Sequence, residues 1–272
     1  MSQDLVRLAV LGDPLAFSLS PELHLAGLEA LGLRGRSEAL RTRAEDLGAR
    51  LGELAQGGYR GVNLTAPLKE RALAHLSRVS EAARRARSVN TVGFEGDGWW
   101  GDTTDGTGFV ELLSSFGRRP ARERVVLLGA GGSSRSLALA LGGAGSRDIR
   151  VSAREPERAA EAWSRIPGIE WTRWGSPEER RALLGASLVV NCTPLGGPEG
   201  PAALERIGPR ALLVDLRYDV QPTAWVRAAR AAGREAYDGL GLLVFQARES
   251  LSLWTGLAVP LDPLARAVGW PR

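Results

Sequence analysis

Of the 35 lysine and arginine residues in this 272-residue chain, 34 are arginine, and the one lysine is Lys69. Arginine holds its proton near neutrality, whereas a lysine exchanges one when its surroundings lower its pKa. A chain this biased toward arginine that keeps lysine at one position points to proton transfer there. The flanking sequence agrees: Gly61-Val62-Asn63-Leu64-Thr65-Ala66-Pro67-Leu68-Lys69 is a short apolar run with Asn and Thr, ended by a proline turn that presents the amine. Lys69 is the first candidate for catalysis.

A second cluster suits an anionic cofactor. The apolar run Arg124-Val125-Val126-Leu127-Leu128 leads straight into Gly129-Ala130-Gly131-Gly132-Ser133-Ser134, and a helical stretch, Arg135–Leu141, follows. Strand, glycine turn and helix in that order form the dinucleotide-binding signature. Gly129 permits the tight turn, Gly131 lets backbone approach a pyrophosphate, and the helix N-terminus offers N–H groups and partial positive charge. Ser134 stands at the third small position. About 20 residues on, NAD sites place an acid for the ribose hydroxyl; here the second strand ends in Ala153-Arg154-Glu155, with Arg158 one turn later. Two guanidinium groups suit a 2′-phosphate, and Glu155 opposes it. On balance the expected cofactor is NADP.

The elements that must position these residues read as follows. Leu5–Leu11 is a strand, Pro21 opens a helix stopped by Gly32, Ala44–Ala55 is a second helix, Gly61–Leu64 a strand, and a third helix begins near Lys69. Trp99-Trp100, in a hairpin with Gly96-Asp97-Gly98, reads as packing. Further strands fall at Ile149–Val151, Leu188–Val190 and Leu212–Val214, and the chain from Gly239 onward reads as helix. This alternation predicts an α/β protein. It has two domains: a parallel α/β substrate domain over residues 1–107, completed by helices in 240–272, and a Rossmann-type domain over 108–239. A cleft between them would hold the active site.

Composition excludes several classes. At 44% hydrophobic and 24% charged the chain suits a soluble globular enzyme. The net charge of +4 comes from arginines scattered among acids, with no basic block, which favours small anions over nucleic acid. The single cysteine, Cys192, excludes an internal disulfide, reads as a small core residue, and suits a reducing cytoplasm. Two distant histidines make no metal cluster. The run Leu8–Leu11 is too short for a signal or membrane span.

The chain resembles the shikimate dehydrogenase family over nearly its whole length. The motifs are Ser18-Leu19-Ser20-Pro21-Glu22-Leu23-His24, Asn63–Lys69, Val89-Asn90-Thr91 and Thr104-Asp105-Gly106, followed by Gly129–Gly132, Asn191–Gly196, Asp215-Leu216-Arg217-Tyr218 and Gly239–Gln246. It departs from the family pattern at Phe17, Leu25 and Thr103, and at Ala153 and Glu155, which flank the arginine of the strand tip. The resemblance implies reduction of 3-dehydroshikimate to shikimate with NADPH, on the route to chorismate and aromatic amino acids, by a monomer or homodimer. It implies Lys69 as general acid–base with Asp105 as its partner, and Ser18 and Ser20 on the substrate carboxylate with Tyr218 from the other domain. Thr65, Asn90 and Gln246 would bind hydroxyls. Gly129, Ala130, Gly131, Gly132, Ser133, Ser134, Ala153, Arg154, Arg158, Thr193, Leu216 and Gly239 would bind cofactor, and His24 reads as structural. Quinate or aminoshikimate as substrate, or a non-catalytic NADP-binding sensor, remain open alternatives.

Overall fold

A computed structural model of the chain describes residues 5–15, 17–96, 98–197 and 200–272. The chain forms two compact units, one running to Gly108 and taking in Leu243–Pro271, the other spanning Phe109–Leu242 with Arg272. The first unit contains β1 (Val6–Gly12), α1 (Ser20–Ala30), β2 (Gly35–Arg41), α2 (Leu47–Gln56), β3 (Tyr59–Leu64), α3 (Leu68–Arg71), β4 (Arg78–Val79), α4 (Glu81–Ala86), β5 (Thr91–Glu95), β6 (Gly98–Asp102) and the start of α5 (Asp105–Ser115). The second contains β7 (Arg124–Leu128), α6 (Gly132–Gly143), β8 (Asp148–Ala153), α7 (Pro156–Trp163), β9 (Ile169–Arg173), α8 (Pro177–Gly185), β10 (Leu188–Asn191), β11 (Leu212–Asp215), α9 (Ala224–Ala231) and β12 (Ala236–Tyr237). Helix α10 (Leu240–Thr255) starts there and returns the chain to the first unit, which ends with α11 (Leu261–Ala267). The helical run expected from Gly239 onward is thus broken between Gly256 and Pro260.

Among the described residues the first sheet has the order β2-β1-β3-β5-β6-β4. It is parallel, as expected, except that β5 runs against β3 and β6. Strand β5 turns into β6 through a tight hairpin at Gly96, where Glu95 pairs with Gly98; Asp97 of that turn lies outside the described residues. The reversal brings the start of β5 to the end of the sheet where β1, β3 and β6 finish. Both faces are covered. Leu47, Leu51 and Leu54 of α2 pack on Ala9, Leu11, Val62 and Leu64, together with Trp99. On the other face Val244, Ala247, Leu251 and Trp254, one stripe of α10 at helical spacing, meet Leu8, Leu23, Leu28 and Leu264. Each large apolar side chain fully buried in this way stabilises the unit by roughly 1.5–3 kcal/mol.

The second sheet is ordered β12-β11-β10-β7-β8-β9, with every pairing parallel. Read from β9, this is the doubly wound 3-2-1-4-5-6 order. Val125–Leu128, Leu188–Val190 and Leu212–Val214 are buried throughout because helices cover both faces. No described helix is long and apolar enough to cross a membrane.

Candidate active site

Four chain segments meet at one end of the first sheet. β1 and β3 finish there, followed by Ser18–Ser20 and by Thr65–Lys69; β5 starts there after Asn90; β6 finishes there, and Asp105 opens α5. In parallel α/β sheets this carboxyl end is where ligands bind. Lys69, one residue into α3, reaches Asp105 Oδ2 with its Nζ at 2.6 Å, the two side chains being 17% and 6% exposed. Asn90 Nδ2 donates to the other carboxylate oxygen, Asp105 Oδ1, at 2.9 Å. Gln246 of α10 faces the same amide, with its Oε1 3.1 Å from Asn90 Nδ2. A well-formed charge-assisted pair held by a neutral amide can orient an ammonium toward a substrate and move a proton through it.

The structure thus gathers Lys69, Asp105, Asn90 and Gln246. Asn90, expected on a substrate hydroxyl, has its amide engaged at both ends, since its Oδ1 accepts from the Thr104 N–H at 2.7 Å. A substrate hydroxyl reaches it only by sharing those bonds. Gln246 Nε2 donates to the Leu243 carbonyl at 3.0 Å, and its second hydrogen has no partner among the described residues. The Thr65 N–H donates to the Leu11 carbonyl at 2.9 Å, which sets this half-buried residue between the ends of β1 and β3. Ser18 Oγ accepts from the Ser20 N–H at 3.2 Å. The N-cap of α1 is Leu19, with no side-chain cap, so neither serine serves as the conventional helix cap.

Beneath this group lies a polar network that the sequence reading left out. Asn63 Nδ2 donates to the Asn90 carbonyl at 2.9 Å, so its Oδ1 accepts from His24 Nε2 at 2.8 Å. The neutral His24 ring then accepts from Ser37 through Nδ1 at 2.7 Å. His24 is wholly buried with its ring edge-on to Trp254, and burial pulls its pKa down to about 4, the Asn63 bond opposing. It is structural, as expected. Thr91, Thr104 and Ser250 complete the network. Asn63, Thr91 and Thr104 fall inside the quoted motifs; Ser250, one turn after Gln246 on α10, falls in none.

In the second unit Gly129 has φ +103°, and a Cβ there would stand 2.7 Å from Thr193 Cγ2, so glycine is required. Gly131 is the N-cap of the 12-residue α6, extended, with no side-chain cap, and among the described residues no atom beyond its chain neighbours lies within 4 Å of where its Cβ would stand. Backbone N–H groups and open space meet there, which fits a pyrophosphate. The Ala130 carbonyl takes the Trp163 indole N–H at 3.0 Å, and Ser134 is fully buried. At the β8 tip Ala153 is buried and Arg154 exposed. Among the described residues the Arg154 guanidinium has no ion-pair partner, whereas Arg158, 81% exposed, pairs with Glu155 at 2.6 Å. Arg173 braces this turn, donating to the Arg154 carbonyl at 3.0 Å and to both Glu157 oxygens.

Thr193 and Leu216 follow β10 and β11. Asn191 Oδ1 accepts from the Thr193 N–H and hydroxyl, and Asn191 Nδ2 and the Thr223 hydroxyl donate to Asp215. Burial pushes the Asp215 carboxyl up from its ordinary range, and these donors oppose that. The Gly239 N–H donates to the Arg217 carbonyl at 2.8 Å. Tyr218 is half-buried in this second unit. Cys192 corrects the expectation of a core residue: it is the first residue past β10 and only half-buried, because the strand ends at Asn191.

The family model for the shikimate dehydrogenase substrate-binding domain matches residues 10–92. The chain is 40% identical over 267 residues to the shikimate dehydrogenase (NADP(+)) of Acidiphilium cryptum, covering 96% of this chain and 95% of that one. The structure is similar to the Thermus thermophilus shikimate 5-dehydrogenase in complex with NADP(H) and shikimate, with a TM-score of 0.86, 38% identity, and 97% and 98% of the two chains covered. It is also similar to the Aquifex aeolicus shikimate dehydrogenase, with a TM-score of 0.86, 30% identity, and 97% of each chain covered.

Proposed function

The chain belongs to the shikimate dehydrogenase family, and on that premise we propose that it catalyses the reversible, NADP-dependent interconversion of 3-dehydroshikimate and shikimate. The observation that carries the reading within the chain is the Lys69–Asp105 pair at 2.6 Å, held by Asn90 at the carboxyl end of the first sheet. NADPH, when bound, supplies the hydride. The protein supplies a proton for the carbonyl oxygen and fixes the geometry. Lys69 Nζ delivers that proton in reduction and takes it back in oxidation. Asp105 Oδ2 aims the ammonium and accepts from a substrate hydroxyl. Ser18 and Ser20 bind the substrate carboxylate, and Thr65, Asn90 and Gln246 its hydroxyls, Gln246 through its open Nε2 hydrogen. Tyr218 is assigned to the substrate on its motif alone.

The substrate domain of this proposal is residues 1–107 with 240–272, and the NADP domain 108–239; the first unit, to Gly108 with Leu243–Pro271, and the second, Phe109–Leu242 with Arg272, support that division. The α6 N-terminus and Gly131 would hold the pyrophosphate, and Arg154 and Arg158 the 2′-phosphate. Thr193, Leu216 and Gly239 would line the remainder. The enzyme acts in the cytoplasm, as a monomer or homodimer, on the route to chorismate and aromatic amino acids. The test is steady-state kinetics with shikimate and quinate, each with NADP and NAD. The expected outcome is the highest kcat/KM for shikimate with NADP. A preference for quinate reassigns the substrate, and cofactor binding without turnover of either alcohol makes the protein a sensor.

A further inference from the structure

Ser250 belongs to no motif and to no step above, yet it ends a chain of hydrogen bonds that begins at Asp105. We propose that Ser250 is a positioning residue: through Thr91 and Thr104 it fixes the direction of the donors that reach Asn90, and so holds Asp105 for Lys69. The inference rests on the assignment of Lys69 and Asp105 to proton transfer.

The direction follows from counting hydrogens. A hydroxyl has one hydrogen to give, and a carbonyl has none. Ser250 Oγ lies 2.9 Å from the Gln246 carbonyl one turn earlier in α10, so Ser250 donates there. It must then accept from Thr91 Oγ1 at 2.7 Å. With the Thr91 hydrogen on Ser250, the 3.1 Å contact between Thr91 and Thr104 has Thr104 as donor. The Thr104 hydrogen has Thr91 at 3.1 Å and Ser250 at 3.2 Å as acceptors, both shorter than Asn90 Oδ1 at 3.3 Å, and Thr104 Oγ1 accepts from Asn90 Nδ2 at 2.9 Å. The second Asn90 hydrogen is left for Asp105 Oδ1 at 2.9 Å, shared with Gln246 Oε1 at 3.1 Å. The Thr104 N–H on Asn90 Oδ1 selects the same amide orientation independently.

Ser250, Thr91, Thr104, Asn90 and Asp105 are all buried, so bulk solvent does not replace a lost bond. Without the Ser250 hydroxyl, the Thr91 hydrogen turns to the weaker acceptor Asn90 Oδ1, 3.4 Å away. Thr104 is then free to turn its own hydrogen toward the same oxygen at 3.3 Å. The chain loses its single direction: the Thr104 N–H still sets which end of the Asn90 amide faces Asp105, but the Thr104 hydroxyl no longer serves Asn90 as an acceptor alone, and the Asn90 donor to Asp105 is held less firmly.

The experiment compares Ser250→Ala, Thr91→Val and Thr91→Ser with the wild type in the full chain. Shikimate oxidation with NADP, thermal unfolding, and hydrogen exchange of the Asn90 side-chain amide by NMR are measured on each. Ser250→Ala and Thr91→Val should lower kcat about tenfold while KM for shikimate stays within about twofold, the mark of an interaction that matters in the chemical step. Their Asn90 amide should lose exchange protection. Thr91→Ser keeps the hydroxyl and should restore both kcat and protection. Lowered unfolding temperatures with wild-type kcat and a protected amide overturn the proposal, and Ser250→Ala decides it if Thr91→Val does not fold. A wild type that leaves shikimate untouched, with an amide protected only when Ser250 is present, overturns the reaction assignment while upholding the hydrogen-bond chain.

Discussion

Protonating His24 places a charge on a ring with no exposed surface, between Ser37, Asn63 and Trp254. Burial holds its folded pKa near 4, while in the unfolded chain it titrates near the ordinary 6.5. The unfolded state therefore binds the extra proton between these values, and stability falls as pH drops through that window. By pH 4 the loss amounts to about 3 kcal/mol. Urea unfolding of the wild type should lose this much more between pH 7 and 4 than His24→Gln does; parallel curves would show that His24 does not couple folding to protons. Ser18 and Ser20 make the second prediction at this scale. The double substitution to Ala should chiefly raise KM for shikimate, by up to roughly 3–6 kcal/mol in binding at about 1.5–3 kcal/mol per charge-assisted bond. An unchanged KM in the folded variant removes the pair from the carboxylate. Lys69 and Asp105 were legible because residue type and motif marked them. Ser250 was not, because its bond to Asn63 joins residues 187 positions apart and no local spacing records that.

The β8–α7 turn shows what an element adds to a motif. In sequence, Arg154 and Arg158 stand as two equal cations opposed by Glu155. In the fold Glu155 and Arg158 form an i,i+3 pair, so the acid attenuates one cation, and in the proposed site Arg154 would meet a 2′-phosphate with its full charge. Arg154→Ala should therefore lose more of the preference for NADP over NAD than Arg158→Ala, by about 1.5–3 kcal/mol in kcat/KM. Equal losses, or an Arg154→Ala enzyme that still discriminates fully, contradict that ranking. The central strands were readable as apolar runs because helices cover both of their faces. The outer strands β2, β4, β9 and β12 were not, being short or studded with charge, as in Gly35-Arg36-Ser37-Glu38, which suits a sheet edge. Nor does the sequence mark β5 as reversed, though that reversal places Asn90 beside Asp105.

Over the whole molecule, the order of motifs along the chain identified the family, while no local pattern reported how side chains far apart in sequence combine. Lys69 in the first 70 residues, Asp105 at the start of α5 and Gln246 near the C-terminal end converge within one unit. On the proposed function, this convergence moves the proton between Lys69 and the substrate. The decisive measurement is the rate of NADP reduction by shikimate in the wild type and in Lys69→Ala. The variant should fold normally, bind shikimate, and turn over roughly 10²–10⁴ times more slowly, the loss expected for a general acid–base group. Near-native turnover in Lys69→Ala would take proton transfer away from Lys69 and leave its pair with Asp105 a structural one.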